Sequence, residues 1–174
     1  MILVMGGSGS GKSEWAENRA VSEADKGRLC YLATMSPKGS EAAKRIERHR
    51  HLREGKGFDT IEETENVSAA LDKAGRSDTV LLEDLSNLLA NIRYGSGLDF
   101  EAAEEKIISD IDTLSEGVGE LIIVSNDIFS DGCVYDRETR QFMETMAKLN
   151  ERFADRAHTV VEVVAGICIY HKKQ

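Results

Sequence analysis

The sequence predicts an α/β fold in which helices flank a largely parallel central sheet. Short β-branched or aliphatic runs alternate with longer segments of helical period, which is typical of βαβ units. A glycine-rich turn separates the first apolar run from the first helical segment. The chain has 174 residues, enough for one substantial core and too few for two ordinary domains. We therefore expect residues 1–174 to form a single domain.

Runs of apolar or β-branched residues mark the candidate strands. In chain order they are Ile2–Met5, Leu29–Ala33, Phe58–Glu62, Thr79–Glu83, Leu121–Ser125 and Thr159–Tyr170. Glycine weakens the interior of a strand, so any break in the last run is expected at Gly166.

Helices are expected between these strands. Their first residues should lie near Gly11, Ser40, Val67, Asp84, Asp99 and Arg137. Asp99 precedes Phe100 as a candidate N-cap, because its carboxylate can accept hydrogen bonds from free N–H groups of the first helical turn. The glycine-rich stretch 93–98 predicts a flexible loop between two helices.

Composition disfavours several classes of protein. The chain is 41% hydrophobic and 30% charged with one proline, which is typical of a helix-rich soluble protein. Its net charge of -9 would repel nucleic acid, so we expect no nucleic-acid partner. No apolar run approaches the roughly 18 residues of a membrane span. Met1 leads directly into an apolar run without a basic leader, which predicts a cytoplasmic protein.

The strongest motif is the octapeptide Gly6-Gly7-Ser8-Gly9-Ser10-Gly11-Lys12-Ser13, which matches GxxxxGK[ST] between a strand and a helix. We call it the phosphate loop. Its glycines let backbone N–H groups surround phosphate oxygens, and the helix N-terminus favours the same anions. Lys12 would neutralise the β- and γ-phosphates, and the Ser13 hydroxyl would bind Mg²⁺. This motif predicts a P-loop NTPase-like fold that binds a nucleotide.

An acidic residue is expected near the metal at the end of a neighbouring strand, and Glu83 and Asp84 are the candidates. Glu83 is preferred, because the buried run continues up to it and ligands bind at the carboxyl ends of such strands. Asp84 could instead cap the next helix. Both carboxylates could also simply be exposed to solvent at the end of the strand, without a role in a site.

Residues 44–53, KRIERHRHLR, form a basic segment in an acidic chain. On a helix Arg45, His49 and Arg53 share one face, which could contact a triphosphate and place a histidine as base or nucleophile. His51 would lie roughly 200° around the helix from His49. A solvated, charged helix face explains the same pattern, and the residues alone favour that interpretation.

Taken together, the motifs resemble those of the bifunctional adenosylcobinamide kinase and adenosylcobinamide-phosphate guanylyltransferase family of cobalamin biosynthesis. The resemblance runs almost end to end. It rests on ILVMGGSGSGKSEWAE, YLAT at 31–34, RIERHRHLR followed by GFDTIEE, VLLEDLSNLLAN, VSN at 124–126 and VVAGI at 163–167. The RIxxHRxxR pattern and the closing VVAG are more specific than the phosphate loop.

The resemblance implies roles for individual residues. Gly6 to Ser13 bind the nucleotide phosphates, Glu83 lies on the metal side, and His49 becomes covalently guanylylated. The nucleotide surroundings would include Thr34, Arg50, Arg53 and Glu62. The implied substrates are adenosylcobinamide, ATP and GTP with Mg²⁺, and the family forms homo-oligomers, commonly trimers.

The chain departs from the family pattern in three places. The stretch 126–134, NDIFSDGCV, lacks the first glycine and the proline of the family's NEVGxGxVP. Phe58 replaces a tryptophan, and Asp84 replaces a cysteine. Two other functions also fit the residues: a different small-molecule kinase that uses the basic segment as a lid, and a nucleotide-binding regulator that turns over no metabolite.

Overall fold

The computed structural model describes residues 1–24, 27–36, 46, 47, 49–51, 53–129 and 132–173. The strands in this part of the chain are β1 (Ile2–Gly6), β2 (Leu29–Ala33), β3 (Phe58–Glu62), β4 (Thr79–Glu83), β5 (Glu120–Asn126), β6 (Thr159–Val164) and β7 (Ile167–Lys172). They form one sheet in the order β3-β2-β4-β5-β1-β6-β7. Strands β1 to β6 pair in parallel and β7 is antiparallel to β6. The largely parallel sheet predicted from the sequence is confirmed.

The helices of the described chain are α1 (Lys12–Glu23), α2 (Leu85–Tyr94), α3 (Phe100–Gly117) and α4 (Arg137–Arg156). Gly11 is the N-cap residue of α1. Asp84 and Asp99 cap α2 and α3, since their carboxylates accept from Asn87 N and Ala102 N respectively. The expected starts near Gly11, Asp84, Asp99 and Arg137 are confirmed.

Three other expectations have different outcomes. The helix expected at Val67 is a 3-10 helix, Val67–Asp72, whose apolar residues Val67 and Ala70 are buried. Arg93 and Tyr94 belong to α2, so the loop expected over 93–98 starts later. Ser40 lies outside the described residues.

Both faces of the sheet are covered, which explains the continuous apolar runs of its strands. Ile2 and Val4 pack in a core with Ala16 and Ala20 of α1. Leu3, which points the other way, packs in a second core that includes residues of α2, α3 and α4. No helix among the described residues is long and apolar enough to span a membrane.

The last apolar run folds into a hairpin and not into one interrupted strand. Ala165 and Gly166 make the turn with φ angles of 49° and 81°, a region that favours glycine. Gly166 N donates a hydrogen bond of 2.8 Å to Ser10 O. The expected break at Gly166 is confirmed, and the turn supports the phosphate loop.

Candidate active site

A cleft of about 590 Å³ lies at the carboxyl ends of the parallel strands. Ser8 to Ser13 of the phosphate loop line one side, and residues of the basic segment line another. The expected site residues that line it are Ser8, Gly9, Ser10, Gly11, Lys12, Ser13, His49, Arg50, Arg53, Glu62 and Glu83. The position agrees with the rule that such sheets bind ligands at the carboxyl ends of their strands.

The phosphate loop has the backbone that its glycines predict. Gly9 and Gly11 have φ angles of 72° and 95°. A Cβ on Gly6 would lie 2.5 Å from Val163 O, so a side chain there would force the backbone to move. Gly6 and Gly7 support the loop from outside the lining of the cleft.

Lys12 lies at the floor of the cleft with only 7% of its surface exposed. Its Nζ donates a 3.1 Å hydrogen bond to Gly7 O within the same loop. Burial lowers the pKa of this ammonium group, whereas the nearby charges of Asp84 and Glu83 act to raise it. Phosphate oxygens in the cleft would add negative charge and so favour the protonated form.

Glu83 ends β4 opposite the phosphate loop. Its Oε1 accepts a 2.5 Å hydrogen bond from Ser13 Oγ, and its buried Oε2 has no hydrogen-bond partner among the described residues. Burial is the main cause that raises the pKa of Glu83 to about 7; Asp84 and Glu17 raise it further, while Ser13 and Lys12 oppose the shift.

These oxygens fit a hard cation. Mg²⁺ prefers a carboxylate and hydroxyl together with waters and phosphate oxygens. Ser13 Oγ provides the hydroxyl, and the unpartnered oxygen of Glu83 provides the carboxylate. Within the described residues, no three His, Cys, Asp or Glu side chains form a metal-binding group, so a cation here would need the phosphates and water as further ligands.

Asp84, the competing acid, is already engaged. Its Oδ1 accepts from Asn87 N and from Ser86 Oγ, both at 2.7 Å, and its Oδ2 accepts from Asn126 Nδ2 at 3.0 Å. The alternative role of Asp84 as a helix cap is therefore confirmed. The geometry favours Glu83 as the acid on the metal side.

Thr34 lies behind the cleft and not in its lining. The residue is fully buried, and its Oγ1 donates to Asp84 O at 2.9 Å. Its carbonyl accepts from Asn91 Nδ2 at 2.7 Å. Thr34 thus holds the β4–α2 junction in place.

In the basic segment, residues 46, 47, 49–51 and 53 are helical. The side chain of His49 is 24% exposed, and its Nδ1 lies 3.6 Å from Glu83 Oε1. Arg53 is 9% exposed, and its guanidinium stacks 3.3 Å above the centre of the Tyr31 ring. Arg45, expected on the same face, lies outside the described residues.

Arg50 and Glu62 lie at the rim of the cleft. The side chain of Arg50 is 63% exposed, with Nη1 3.9 Å from Glu47 Oε2. Glu62 is exposed at the end of β3. Both residues line the cleft, and their role in binding the nucleotide stays a prediction.

Tyr31 and Asn126 are among the cleft-lining residues that sequence reasoning missed. Tyr31 is 4% exposed, and the Arg53 guanidinium stacks on its ring. Asn126 ends β5 next to the phosphate loop, since Asp127 N donates to Gly6 O at 2.9 Å. A polar residue that ends an apolar strand was the available signal, because the same reasoning selected Glu83.

Known proteins resemble this chain over almost its whole length. The family model described as cobinamide kinase / cobinamide phosphate guanyltransferase matches residues 2–170. The chain is similar to the bifunctional adenosylcobalamin biosynthesis protein CobU of Escherichia coli (strain K12), with 28% identity over 179 residues. It is also similar to the protein of the same name from Salmonella typhimurium (strain LT2), with 28% identity over 183 residues. Both alignments cover 96% of this chain and 97% of the relative.

The fold also resembles a solved structure of low sequence identity. The crystal structure of flagellar accessory protein FlaH from Methanocaldococcus jannaschii aligns with a TM-score of 0.50 and 13% identity. The alignment covers 99% of this chain and 78% of FlaH. At this identity the similarity concerns the fold alone.

Proposed function

This chain belongs to the cobinamide kinase / cobinamide phosphate guanyltransferase family, and we propose that its one cleft serves both reactions. It phosphorylates adenosylcobinamide with ATP or GTP, and then transfers GMP from GTP to adenosylcobinamide phosphate, in the biosynthesis of adenosylcobalamin. One observation carries the proposal. Glu83 Oε1 lies 2.5 Å from Ser13 of the phosphate loop and 3.6 Å from the imidazole of His49, so a phosphate site and a nucleophile share one carboxylate.

In the kinase reaction, the phosphate loop binds the triphosphate through its backbone N–H groups and Lys12. The terminal hydroxyl of the aminopropanol arm attacks the γ-phosphorus, and the nucleoside diphosphate leaves. Lys12 stabilises the charge that develops on the phosphoryl oxygens. Mg²⁺, held by Ser13 and Glu83, would neutralise charge on the β- and γ-phosphates.

In the guanylyltransferase reaction, His49 attacks the α-phosphorus of GTP. A P–N bond forms as the bond to pyrophosphate breaks, which gives a guanylyl-histidine. A phosphate oxygen of adenosylcobinamide phosphate then attacks the same phosphorus and releases the imidazole. A neutral imidazole is a competent nucleophile near pH 7, and the cationic side chains of Arg50 and Arg53, which line the same cleft, attract the triphosphate.

Incubation with radiolabelled nucleotides tests this function. The purified protein is given Mg²⁺ with ATP or GTP labelled at the α- or γ-phosphate, with and without cobinamide. We expect γ-label in cobinamide phosphate and α-label from GTP on the protein. Phosphorylation of an unrelated alcohol but not of cobinamide would indicate another small-molecule kinase. Binding without transfer to any acceptor would indicate a nucleotide-binding regulator.

The family resemblance also implies assembly with further copies of this chain. Strand β7 lies at an edge of the sheet and exposes apolar side chains: Ile167 is 68% exposed, Ile169 44% and Tyr170 43%. Exposed apolar groups on an edge strand are typical of an interface. Light scattering during gel filtration would distinguish the expected trimer from a monomer.

A further inference from the structure

Asn126, the residue that ends β5, has no role in the steps above. We propose that its side-chain carbonyl holds the substrate hydroxyl that accepts the γ-phosphoryl group. The inference rests on the proposed kinase function and adds the residue that positions the acceptor.

The position of Asn126 follows from the order of the strands. Strand β5 lies between β1, which leads into the phosphate loop, and β4, which ends at Glu83. Asn126 is paired in register with Gly6, the first residue of the loop. Asn126 lines the cleft. An acceptor alcohol in line with the γ-phosphate would therefore meet Asn126 between the loop and the acid.

The orientation of the Asn126 amide is fixed by its neighbours. Nδ2 lies 3.0 Å from Asp84 Oδ2 and 2.7 Å from Ser86 Oγ. A carboxylate only accepts hydrogen bonds, and the Ser86 hydroxyl already donates its hydrogen to Asp84 Oδ1 at 2.7 Å. Both partners must therefore receive a hydrogen from Nδ2.

This arrangement leaves Oδ1 as the group that Asn126 offers to the cleft. Both hydrogens of Nδ2 are used by these two contacts, so Oδ1 is the polar atom of the side chain that they leave for a ligand. Asp84 is itself held by Asn87 N, so the amide is anchored to the start of α2. Asn126 thus provides a fixed hydrogen-bond acceptor in the cleft.

The chemistry of such an acceptor selects its partner. Phosphate oxygens are acceptors and would be repelled by Oδ1, whereas an alcohol can donate to it. When the hydroxyl donates its hydrogen bond to Oδ1, a lone pair of the hydroxyl oxygen points at the γ-phosphorus. The new P–O bond forms as the bond to the nucleoside diphosphate breaks and takes the electron pair. An amide does not keep a proton, so the hydroxyl proton passes to an oxygen of the transferred phosphoryl group.

Guanylylation of His49 provides a control within the same protein. That reaction has no attacking hydroxyl and therefore no use for Oδ1, although it uses the same phosphate loop. A loss confined to the kinase reaction would separate the proposed role from damage to nucleotide binding.

The test compares the two reactions in Asn126→Ala. We expect kcat/KM for cobinamide phosphorylation to fall about ten- to a hundredfold, as for a lost hydrogen bond to the reacting group. The rate of GMP attachment from MgGTP and the Kd of MgATP by calorimetry should stay within about twofold of wild type. Asn18→Ala removes the same side chain from the exposed face of α1 and should change neither reaction.

Ser86→Ala is the second variant, because it loosens the amide without removing it, and Ser86 does not line the cleft. We expect a several-fold loss of kinase activity alone, and this variant decides the question if Asn126→Ala does not fold. Unchanged kinase activity in the folded variants would overturn the inference. Equal losses in both reactions would also overturn it, because they would place Asn126 on the nucleotide or metal side. A wild-type chain that phosphorylates no cobinamide would instead contradict the proposed function, and the inference with it.

Discussion

The two faces of the basic segment place similar side chains in different surroundings. His49 is 24% exposed and faces Glu83 in the cleft. His51 is 63% exposed, and its ring nitrogens lie 3.3 Å from Glu47 and 3.1 Å from Glu54. The two histidines are separated by about 200° around a helix, although they are only two residues apart.

The arginines repeat this difference. Arg53 is 9% exposed and stacked on Tyr31, whereas the side chain of Arg50 is 63% exposed and pairs loosely with Glu47. The outer face, on which His51 lies, is the solvated surface that the charge pattern of the segment favoured, and Arg50 lies between the two faces at the rim of the cleft. The inner face, with His49 and Arg53, provides the candidate nucleophile, His49. A helix whose charge pattern is typical of a solvated surface can therefore have a functional site on its opposite face.

Lys12→Ala should have the largest effect, because both reactions use the phosphate loop. This loop lines the same cleft as His49 and Arg53. We expect each rate to fall about a thousandfold, as when a charged group that stabilises a transition state is removed. Circular dichroism should show an unchanged fold, since the ammonium serves the ligand and not the core. Lys73→Ala is the matched control, because Lys73 is exposed and outside the cleft. Unchanged affinity and rates in Lys12→Ala would reject the phosphate-loop assignment.

Glu83, the partner of the inner histidine, should make the stability of the metal-free protein depend on pH. Its pKa is raised from 4.5 to about 7 in the folded protein, mainly by burial. The folded state then holds a proton that the unfolded state has lost, so stability falls as pH rises through this window. Glu83→Gln should lack this fall and exceed wild type above pH 7 by up to about 3 kcal/mol.

Urea unfolding at a series of pH values, with EDTA present, measures the difference between wild type and Glu83→Gln. Glu54→Gln, on the outer face, should follow the wild-type curve because Glu54 is exposed. A constant difference between wild type and Glu83→Gln from pH 4.5 to pH 8 would contradict the raised pKa.

Arg53→Ala should weaken triphosphate binding about tenfold, because it removes a buried cation at the cleft together with its stacking on Tyr31. Arg50→Ala should have a smaller effect, since an exposed charge is screened by solvent. Calorimetric titration with MgATP, which gives no GMP adduct, measures both values. If Arg50→Ala lost more affinity than Arg53→Ala, the two faces would have been assigned the wrong way round.

His51→Ala should have the smallest effect. His51 pairs only with exposed glutamates in the described structure and does not line the cleft. We expect both reaction rates and the melting temperature to stay close to wild type, since exposed ion pairs contribute little. A tenfold loss of either rate would show that the outer face also takes part.

Much of the fold was predictable because its signals are local in the chain. The bounds of Leu29–Ala33, Phe58–Glu62 and Thr79–Glu83 agree with the sequence pattern, and the phosphate loop follows its strand directly. The helix expected near Val67 is present as a short 3-10 helix, a form that the sequence pattern did not specify.

The site was less predictable, because it depends on contacts between distant parts of the chain. Asn126 meets the phosphate loop only because β5 lies between β4 and β1 in the sheet. Tyr31 matters because Arg53, far along the chain, stacks on it. His49 faces Glu83, which is distant in the chain, whereas the charge pattern of the basic segment alone favoured exposure to solvent.

The most direct test of the proposed chemistry is to locate the GMP adduct. The wild-type protein is incubated with MgGTP, digested under alkaline conditions that preserve P–N bonds, and sequenced by tandem mass spectrometry. We predict one GMP on His49, the same adduct in His51→Ala, and none in His49→Ala that still phosphorylates cobinamide. A GMP group on His51, or no adduct in a wild-type protein that is active as a kinase, would contradict the assignment of the inner histidine as the nucleophile.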